Sequence, residues 1–383
     1  MPRKIKIPLI ICASILVLSM AFAAGCILPV SSSATPTSGP NTALVKEAWD
    51  TLTTKYVVPA KADQATLNAG AVRGMVDSLN DPYSAYFNAD EYKLENSSFQ
   101  GSFGGIGAQV GLNKDNQPVI LSPIPGAPAE KAGIQTGDII LAVDGKSTQG
   151  LSVTETVMLV RGQPGTTVKL LIQHPGTTAP VEISIVRAQI SSPSVTAQMK
   201  GSIVYIKITS FTQVTNDELG KAFSTLDLKN ATGIIIDLRD NPGGIVTTVV
   251  DVASHFIKQG VIITLRDNQG HTTSDSANPN GVFTDLPMVV LVNQFSASGS
   301  EVLSGALQDY KRATIAGTVT LGKGSYDSFF QLSDGSAIYL TIGRWITPNG
   351  REIEGKGITP DYTLTQTGDD EIQWAIDYLN KPK

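Results

Sequence analysis

The chain has 383 residues, 41% hydrophobic and 16% charged, with a formal net charge of −5. That length exceeds one small domain and supplies enough apolar residues for two or three packed cores. The acidic balance, with no basic face and no base-stacking motif, argues against nucleic acid as a partner, while 36 glycines and 21 prolines predict many turns.

Arg3, Lys4 and Lys6 precede an apolar run from about Ile7 to Ala24. Residues 1–28 therefore read as a secretory signal or a single membrane anchor. A buried core helix fits less well, because the run stands at the extreme N-terminus with a Ser/Thr/Pro stretch behind it. Cys12 and Cys26 are the only cysteines, so the domains that follow carry neither a disulfide nor thiolate chemistry. Cys26 follows Ala23-Ala24-Gly25, a pattern like a bacterial lipoprotein cleavage box, with Ala23 where Leu is usual. Lipidation at Cys26 and a retained, uncleaved helix both stay open. Either places the body outside the cytoplasm, anchored near a membrane; complete cleavage would leave it secreted.

Residues 29–41 are small and polar with three prolines, a flexible tether. From Thr42 to about Phe99 the pattern turns helical: Leu44, Ala48, Leu52 and Tyr56 recur at four-residue spacing, as do Leu67, Ala71, Met75 and Leu79. Asp81-Pro82 is the expected stop of the second helix. Two such helices bury little alone and are expected to pack on the body or on a second subunit, so a homodimer is compatible with this segment.

Residues 101–187 read as a small β-rich domain. Val119–Leu121, Asp138–Val143 and Val168–Ile172 are strand candidates, and Ala127–Ala132 is a helical turn ended by Gly133. Residues 188–383 alternate strands (Ile203–Ile208, Gly233–Leu238, Val261–Leu265, Met288–Val292, Ala337–Leu340) with helices (Asn216–Leu226, Ile245–Lys258, Ser298–Asp309). The fold class is thus α/β multidomain: N-terminal helices, a β-rich insertion, then a mixed sheet covered by helices, with part of 42–99 joining that last core.

The three histidines, His174, His255 and His271, stand beside no nucleophile and at no ligand-pair spacing, and read as structural or solvent-facing. No G-x-S-x-G elbow and no metal-ligand cluster appears, so no metal or organic cofactor is implied. Two segments carry more signal. Asn293-Gln-Phe-Ser-Ala-Ser-Gly-Ser-Glu301 follows the apolar run Met288–Val292 and opens an apolar helix. A serine there sits beside unpaired helix N–H groups, which favour developing negative charge; an ordinary N-cap reads the same way. Thr320-Leu-Gly-Lys-Gly324 holds a lysine between glycines. Desolvated, such an amine can act as a base; an exposed turn lysine is the alternative. It is not a phosphate-binding loop, because Gly324 replaces the required Ser or Thr.

These residues resemble the C-terminal processing (tail-specific) proteases, Ser/Lys peptidases with a PDZ domain. The likeness runs in order from Leu44 to Asp361 through Asp81-Pro-Tyr-Ser-Ala-Tyr86, Gly104-Gly-Ile-Gly107, Pro125-Gly-Ala-Pro-Ala129, Gly137-Asp138, Arg161-Gly-x-Pro-Gly-Thr166, Asp237-Leu-Arg-x-Asn-Pro-Gly-Gly244, the Ser-Ala-Ser segment, Gly322-Lys-Gly324 and Gly357-Ile-Thr-Pro-Asp361. The resemblance implies Ser298 as nucleophile, Lys323 as general base, and oxyanion donors on the backbone near Gly243 and at Gly299, with Ser296 and Ser300 structural. It implies that residues 101–187 form a PDZ domain whose Gly105-Ile106-Gly107-Ala108 loop receives a peptide carboxylate by strand addition, and that Arg161 couples that domain to the protease or faces solvent. The implied substrates are exported proteins or peptides with a free, mainly apolar C-terminus.

Two positions depart from the pattern. Gly299 replaces a common Ala. Asp327 stands where the family usually places a Gln that orients the lysine amine. A carboxylate there favours the ammonium form and opposes a general base at neutral pH. The rival reading is a membrane-tethered PDZ scaffold that binds peptides with impaired catalysis.

Overall fold

The computed structural model describes residues 42–381 apart from 114, 116, 152, 192, 280–283 and 367. The expected signal or anchor, Cys26 and the tether lie outside the described residues. No helix among the described residues is long and apolar enough to cross a membrane.

Helix α1 (Ala43–Lys55) is followed by a single 3₁₀ turn (Pro59–Lys61) and by α2 (Gln64–Asp77). Leu44, Val45 and Leu52 of α1 are exposed. Helix α2 ends before the expected Asp81-Pro82 stop. Leu79 N–H bonds back only to the Val76 carbonyl and Asn80 takes a φ of 50°, so the last turn tightens and the chain leaves the helix. The remaining helical pattern up to Phe99 divides into β1 (Ala85–Phe87) and α3 (Ala89–Phe99). Asn88 makes the break: its side chain accepts from Asp90 and Glu91 N–H, while Glu91 accepts the Asn88 N–H, a complete capping box.

The β-rich insertion comprises β2 (Ser102–Gly105), β3 (Ala108–Leu112), β4 (Pro118–Pro123), α4 (Pro128–Lys131), β5 (Ile139–Val143), β6 (Lys146–Ser147), α5 (Val153–Val160), β7 (Thr167–Gln173), β8 (Val181–Val186) and β9 (Ala188–Ser191). Strands β3-β4-β5-β7-β8 form one antiparallel sheet with β3 at its edge, and β2 pairs with β9 as a separate ribbon. Val168, Leu170 and Ile172 alternate inward along β7 and pack with Ile106, Ile120 and Ile140 in a core of their own.

The rest of the chain comprises β10 (Val195–Lys200), β11 (Ile203–Ile208), α6 (Thr215–Thr225), β12 (Gly233–Asp237), α7 (Val246–Ala253), β13 (Val261–Asp267), β14 (Thr272–Ser276), β15 (Met288–Val292), α8 (Gly299–Asp309), β16 (Thr314–Gly317), β17 (Ser325–Gln331), β18 (Ala337–Ile346), β19 (Tyr362–Thr363) and α9 (Asp369–Leu379). The central sheet runs β10-β11-β12-β15-β16-β19, all parallel except β10. Its central strands β12 and β15 are buried along their whole length, without alternation, because both faces are covered. Ile234, Ile236, Val290 and Val292 face α6, α7 and α8. Ile235, Val289 and Leu291 face α9 through Ile372 and Ala375. Each such side chain contributes roughly 1.5–3 kcal/mol by leaving water. A second sheet joins β1, β18, β13 and β14, with β17 also on β18.

Helix α7 stops at Ala253, short of the expected Lys258. Ser254 Oγ bonds back to the Val250 carbonyl at 2.7 Å, and the next N–H groups, of His255 and Phe256, reach only three residues back, tightening the end into a turn.

Candidate active site

In an open sheet with parallel strands, the turns beyond the carboxyl ends of those strands gather on one edge. Three of them meet here. Strand β12 runs into Arg239–Gly244, β15 into Asn293–Ser298, and β16 into the segment holding Lys323. Ser298, Lys323, Gly243, Gly244, Tyr339 and Arg161 line one cavity of about 460 Å³.

Ser298 is half-buried and takes φ 50°, ψ −112°, strained for a side chain with a Cβ. Its neighbours impose that geometry. Ser296 Oγ donates to the Leu238 carbonyl at 2.8 Å, Ala297 N–H to the Asn241 carbonyl at 3.0 Å, and Ser300 Oγ to the same carbonyl at 2.9 Å. Ser296 and Ser300 thus fix the turn, and Ser298 alone of the three has a side chain lining the cavity.

Glu301 is the residue that sequence reading passed over. It is fully buried and its carboxylate accepts four hydrogen bonds: from Ser298 N–H (2.8 Å), Lys323 N–H (2.9 Å), Gly322 N–H (2.7 Å) and Thr320 Oγ1 (2.5 Å). Burial pushes its carboxyl up, against these donors. One side chain therefore ties the turn bearing Ser298 to the turn bearing Lys323. The signal was present in the sequence: Ser298-x-x-Glu301 is the spacing of a capping box.

Lys323 Nζ lies 2.6 Å from Asp327 Oδ2, whose side chain is 2% exposed. Asp327 sits at a register shift on β17 opposite Thr341, whose Oγ1 donates to Asp327 Oδ1 at 2.7 Å. The Tyr339 hydroxyl also hydrogen-bonds Asp327; burial, then the Asp327 charge, pushes that phenol well up. The Tyr83 ring lies 4.6 Å from Lys323 Nζ, a cation–π distance. The amine is thus held between Asp327 and the Tyr83 ring, and no hydrogen bond joins it to Ser298 Oγ among the described residues.

Gly243 packs against the Ser298 turn so tightly that a Cβ on it would lie 2.7 Å from Gly299 N and 2.8 Å from Ser298 Cβ. Its N–H donates to Asn241 Oδ1 at 2.8 Å. The N–H groups of Gly244 and Gly299 donate to no acceptor among the described residues. Gly244 takes φ 144°, and a Cβ there would stand 2.1 Å from the Phe211 carbonyl oxygen. Gly244→Ala is therefore expected to cost about 3 kcal/mol of unfolding free energy, measured in urea; a change under about 0.5 kcal/mol would show that the turn yields.

Arg161 follows α5, its guanidinium 4.5 Å above the Phe103 ring, with its buried Nε unpartnered. Glu95 of α3 lines the same cavity. Burial pushes the Glu95 carboxyl up and the Arg161 guanidinium down, each opposed by the other's charge. In the insertion, Gly105 ends β2, Gly107 takes φ 73°, and Ala108 opens the edge strand β3. Ile106 points into the core at 3% exposure. The carbonyls of Ile106 and Gly107 accept from Ala129 and Ile124 N–H, at 2.7 and 2.9 Å. The histidines stand apart: His174 Nδ1 is 2.7 Å from Asp138, His255 Nε2 is 2.9 Å from Asn216, and His271 is exposed near Asp267.

Three family descriptions match the chain: peptidase family S41 over residues 202–364, PDZ domain over 119–174, and the N-terminal domain of the activating protease CtpB over 28–91. The carboxy-terminal processing protease CtpA of Bacillus subtilis is 38% identical over 317 residues, spanning 82% of this chain and 67% of the relative. The carboxyl-terminal-processing protease of Synechocystis is 37% identical over 348 residues, 86% of this chain and 81% of the relative. Among solved structures, the photosystem II D1 C-terminal processing protease superposes with a TM-score of 0.55 at 30% identity, covering 84% of this chain and 92% of its own. With a PDZ domain to recognise peptide tails and a family S41 core to cut them, the chain belongs to the C-terminal processing proteases, serine-type endopeptidases that act near the C-termini of protein and peptide substrates.

Proposed function

We propose that Ser298 is the nucleophile and Lys323 the general base of this peptidase. The observation that carries the reading is their convergence on one cavity, with Glu301 holding the backbone of both turns. Neutral Lys323 takes the Ser298 proton as Oγ attacks the scissile carbonyl. The oxyanion is held by Gly299 N–H and by Gly243 N–H, the latter once it exchanges Asn241 Oδ1 for the substrate oxygen. Collapse expels the amine with a proton from Lys323, leaving an acyl-enzyme. Lys323 then activates the water that hydrolyses it.

In this reading Asp327 holds the Lys323 amine until substrate arrives, so turnover requires the pair to part. The backbone of Gly105-Ile106-Gly107-Ala108 receives the substrate carboxylate, and the substrate tail adds to the free edge of β3. Arg161 connects that domain to catalysis because its guanidinium lines the cavity of Ser298 and Lys323. The N-terminal segment, through an uncleaved anchor or a lipid on Cys26, holds the protease outside the cytoplasm. The exposed apolar residues of α1 support a homodimer.

The test is cleavage of a denatured model protein bearing either a free or an amidated C-terminal residue. The free tail is expected to be cut at least tenfold faster. Equal rates for both would remove tail capture from the reading while leaving the peptidase in place.

A further inference from the structure

We propose that Glu371, on the C-terminal helix α9, is a positioning residue for the oxyanion turn. The inference rests on the reading that Arg239–Gly244 supplies that turn. Helix α9 lies on the opposite face of the central sheet from α6–α8 and lines no part of the catalytic cavity. Its first turn nevertheless reaches the carboxyl edge of the sheet, where β12 becomes the turn.

There Arg239 is gripped from two sides. Its Nε and NH2 donate to Asp237 Oδ1 and Oδ2 at 2.8 and 2.5 Å. NH1 donates to the Gly368 carbonyl at 2.7 Å and to Glu371 Oε2. The three side chains are nearly closed to solvent: 0% exposed for Asp237, 10% for Arg239 and 7% for Glu371. Tyr205 OH donates to Asp237 Oδ2 at 2.7 Å, and the Arg239 backbone N–H donates to Asp237 Oδ1 at 3.0 Å. Burial works against the charges of Asp237 and Arg239, yet their mutual pairing overcomes it: the carboxyl is held below its usual range and the guanidinium is held charged. Such a group is held in place because four of its five N–H donors have acceptors, three of them oxygens of buried carboxylates.

The backbone just beyond Arg239 has little freedom of its own to hold it. Asp240 takes φ 65° and is tied to Asn293 by two bonds, at 3.0 and 2.8 Å. The Asn241 carbonyl then receives the nucleophile turn. Gly243 and Gly244 pair on their other side with Phe211, whose N–H donates to the Gly243 carbonyl at 2.9 Å, and they lie between that contact and this frame. Removing the Glu371 carboxylate leaves NH1 only the exposed Gly368 carbonyl, so Arg239 is gripped firmly from the Asp237 side alone, and the backbone that follows it loosens together with the glycine N–H groups. A shift of that kind weakens stabilisation of the transition state more than substrate binding, so it lowers kcat and spares KM.

Glu371→Gln keeps shape and removes charge; Glu371→Asp keeps charge and shortens the reach. The full chain of each is assayed on a fluorogenic peptide beside wild type and Ser298→Ala, with hydrogen exchange followed by mass spectrometry. E371Q is expected to lose about tenfold in kcat with KM within twofold, and amides of 238–246 are expected to exchange at least fivefold faster while those of the PDZ domain do not change. E371D is expected to fall between E371Q and wild type in both readouts. A folded E371Q with kcat within twofold and unchanged exchange at 238–246 overturns the proposal. If E371Q does not fold, E371D decides by the same two readouts. If wild type is no more active than S298A, the protease reading fails, and exchange at 238–246 still decides whether Glu371 holds the turn.

Discussion

Ser298→Ala is expected to lower kcat/KM by roughly 10³- to 10⁶-fold, and Lys323→Ala by a similar factor, with the double variant no worse than either. Nucleophile and base act as one unit, so deleting either removes the covalent route and leaves only what binding and oxyanion donors supply. The two variants should differ in stability. The bonds that fix the turn run mainly through Ser296, Ala297, Ser300 and Glu301 rather than Ser298 Oγ, so S298A should melt within about 2–4 °C of wild type; the strained φ stays, since alanine also carries a Cβ. K323A leaves Asp327 with its side chain 2% exposed and no counter-ion. A buried charge stripped of its partner costs about 3–5 kcal/mol, so K323A should melt several degrees lower. Substrate cleavage by S298A at more than about one hundredth of the wild-type rate would remove Ser298 from the mechanism.

Asp327→Gln is expected to raise the rate at pH 7 by about tenfold or more, the scale on which one adjacent charge acts. The sign follows from the pair. Asp327 Oδ2 holds Nζ at 2.6 Å, so the amine must leave that contact before it can take the serine proton. D327Q has no ion pair to break, and its amine is free to turn to Ser298 Oγ. The Thr341 Oγ1 donor at 2.7 Å can bond an amide oxygen equally well, so the loss of the ion pair is the main change. Equal rates for wild type and D327Q would mean that the pair parts before the rate-limiting step. Activity absent in wild type and restored in D327Q would instead identify a chain that captures tails with its base locked.

Much of the fold was legible because apolar runs have few ways to be buried. Ile203–Ile208 and Met288–Val292 occupy the residues expected, since short apolar runs such as Ile203–Ile206 and Met288–Val292 suit a strand covered on both faces. Strand β17 was not legible. Ser325-Tyr-Asp-Ser-Phe-Phe-Gln331 has no period that marks a strand, and it is held by pairing with β18 rather than by its own pattern. Strand β1 was hidden in the same way within a helical stretch, paired with residues some 250 positions later in the chain.

The candidate site divides along similar lines. Ser298 and Lys323 were found through ordered motifs, and Asp327 stood out as a carboxylate in a place that calls for a neutral group. Glu301, Asn241 and Glu371 were not singled out, because each acts through contacts between elements far apart in sequence. By itself the sequence determined the family and pointed to Ser298 and Lys323 as candidates, since both depend on residue types at fixed spacing. Only the tertiary structure decided that Lys323 rests on Asp327, that Gly243 N–H is turned to Asn241, and that Glu301 joins the two catalytic turns. Those are distances between side chains and backbone of separate turns, set by how β12, β15 and β16 stack beside one another in the sheet, and the linear order of residues carries no measure of them.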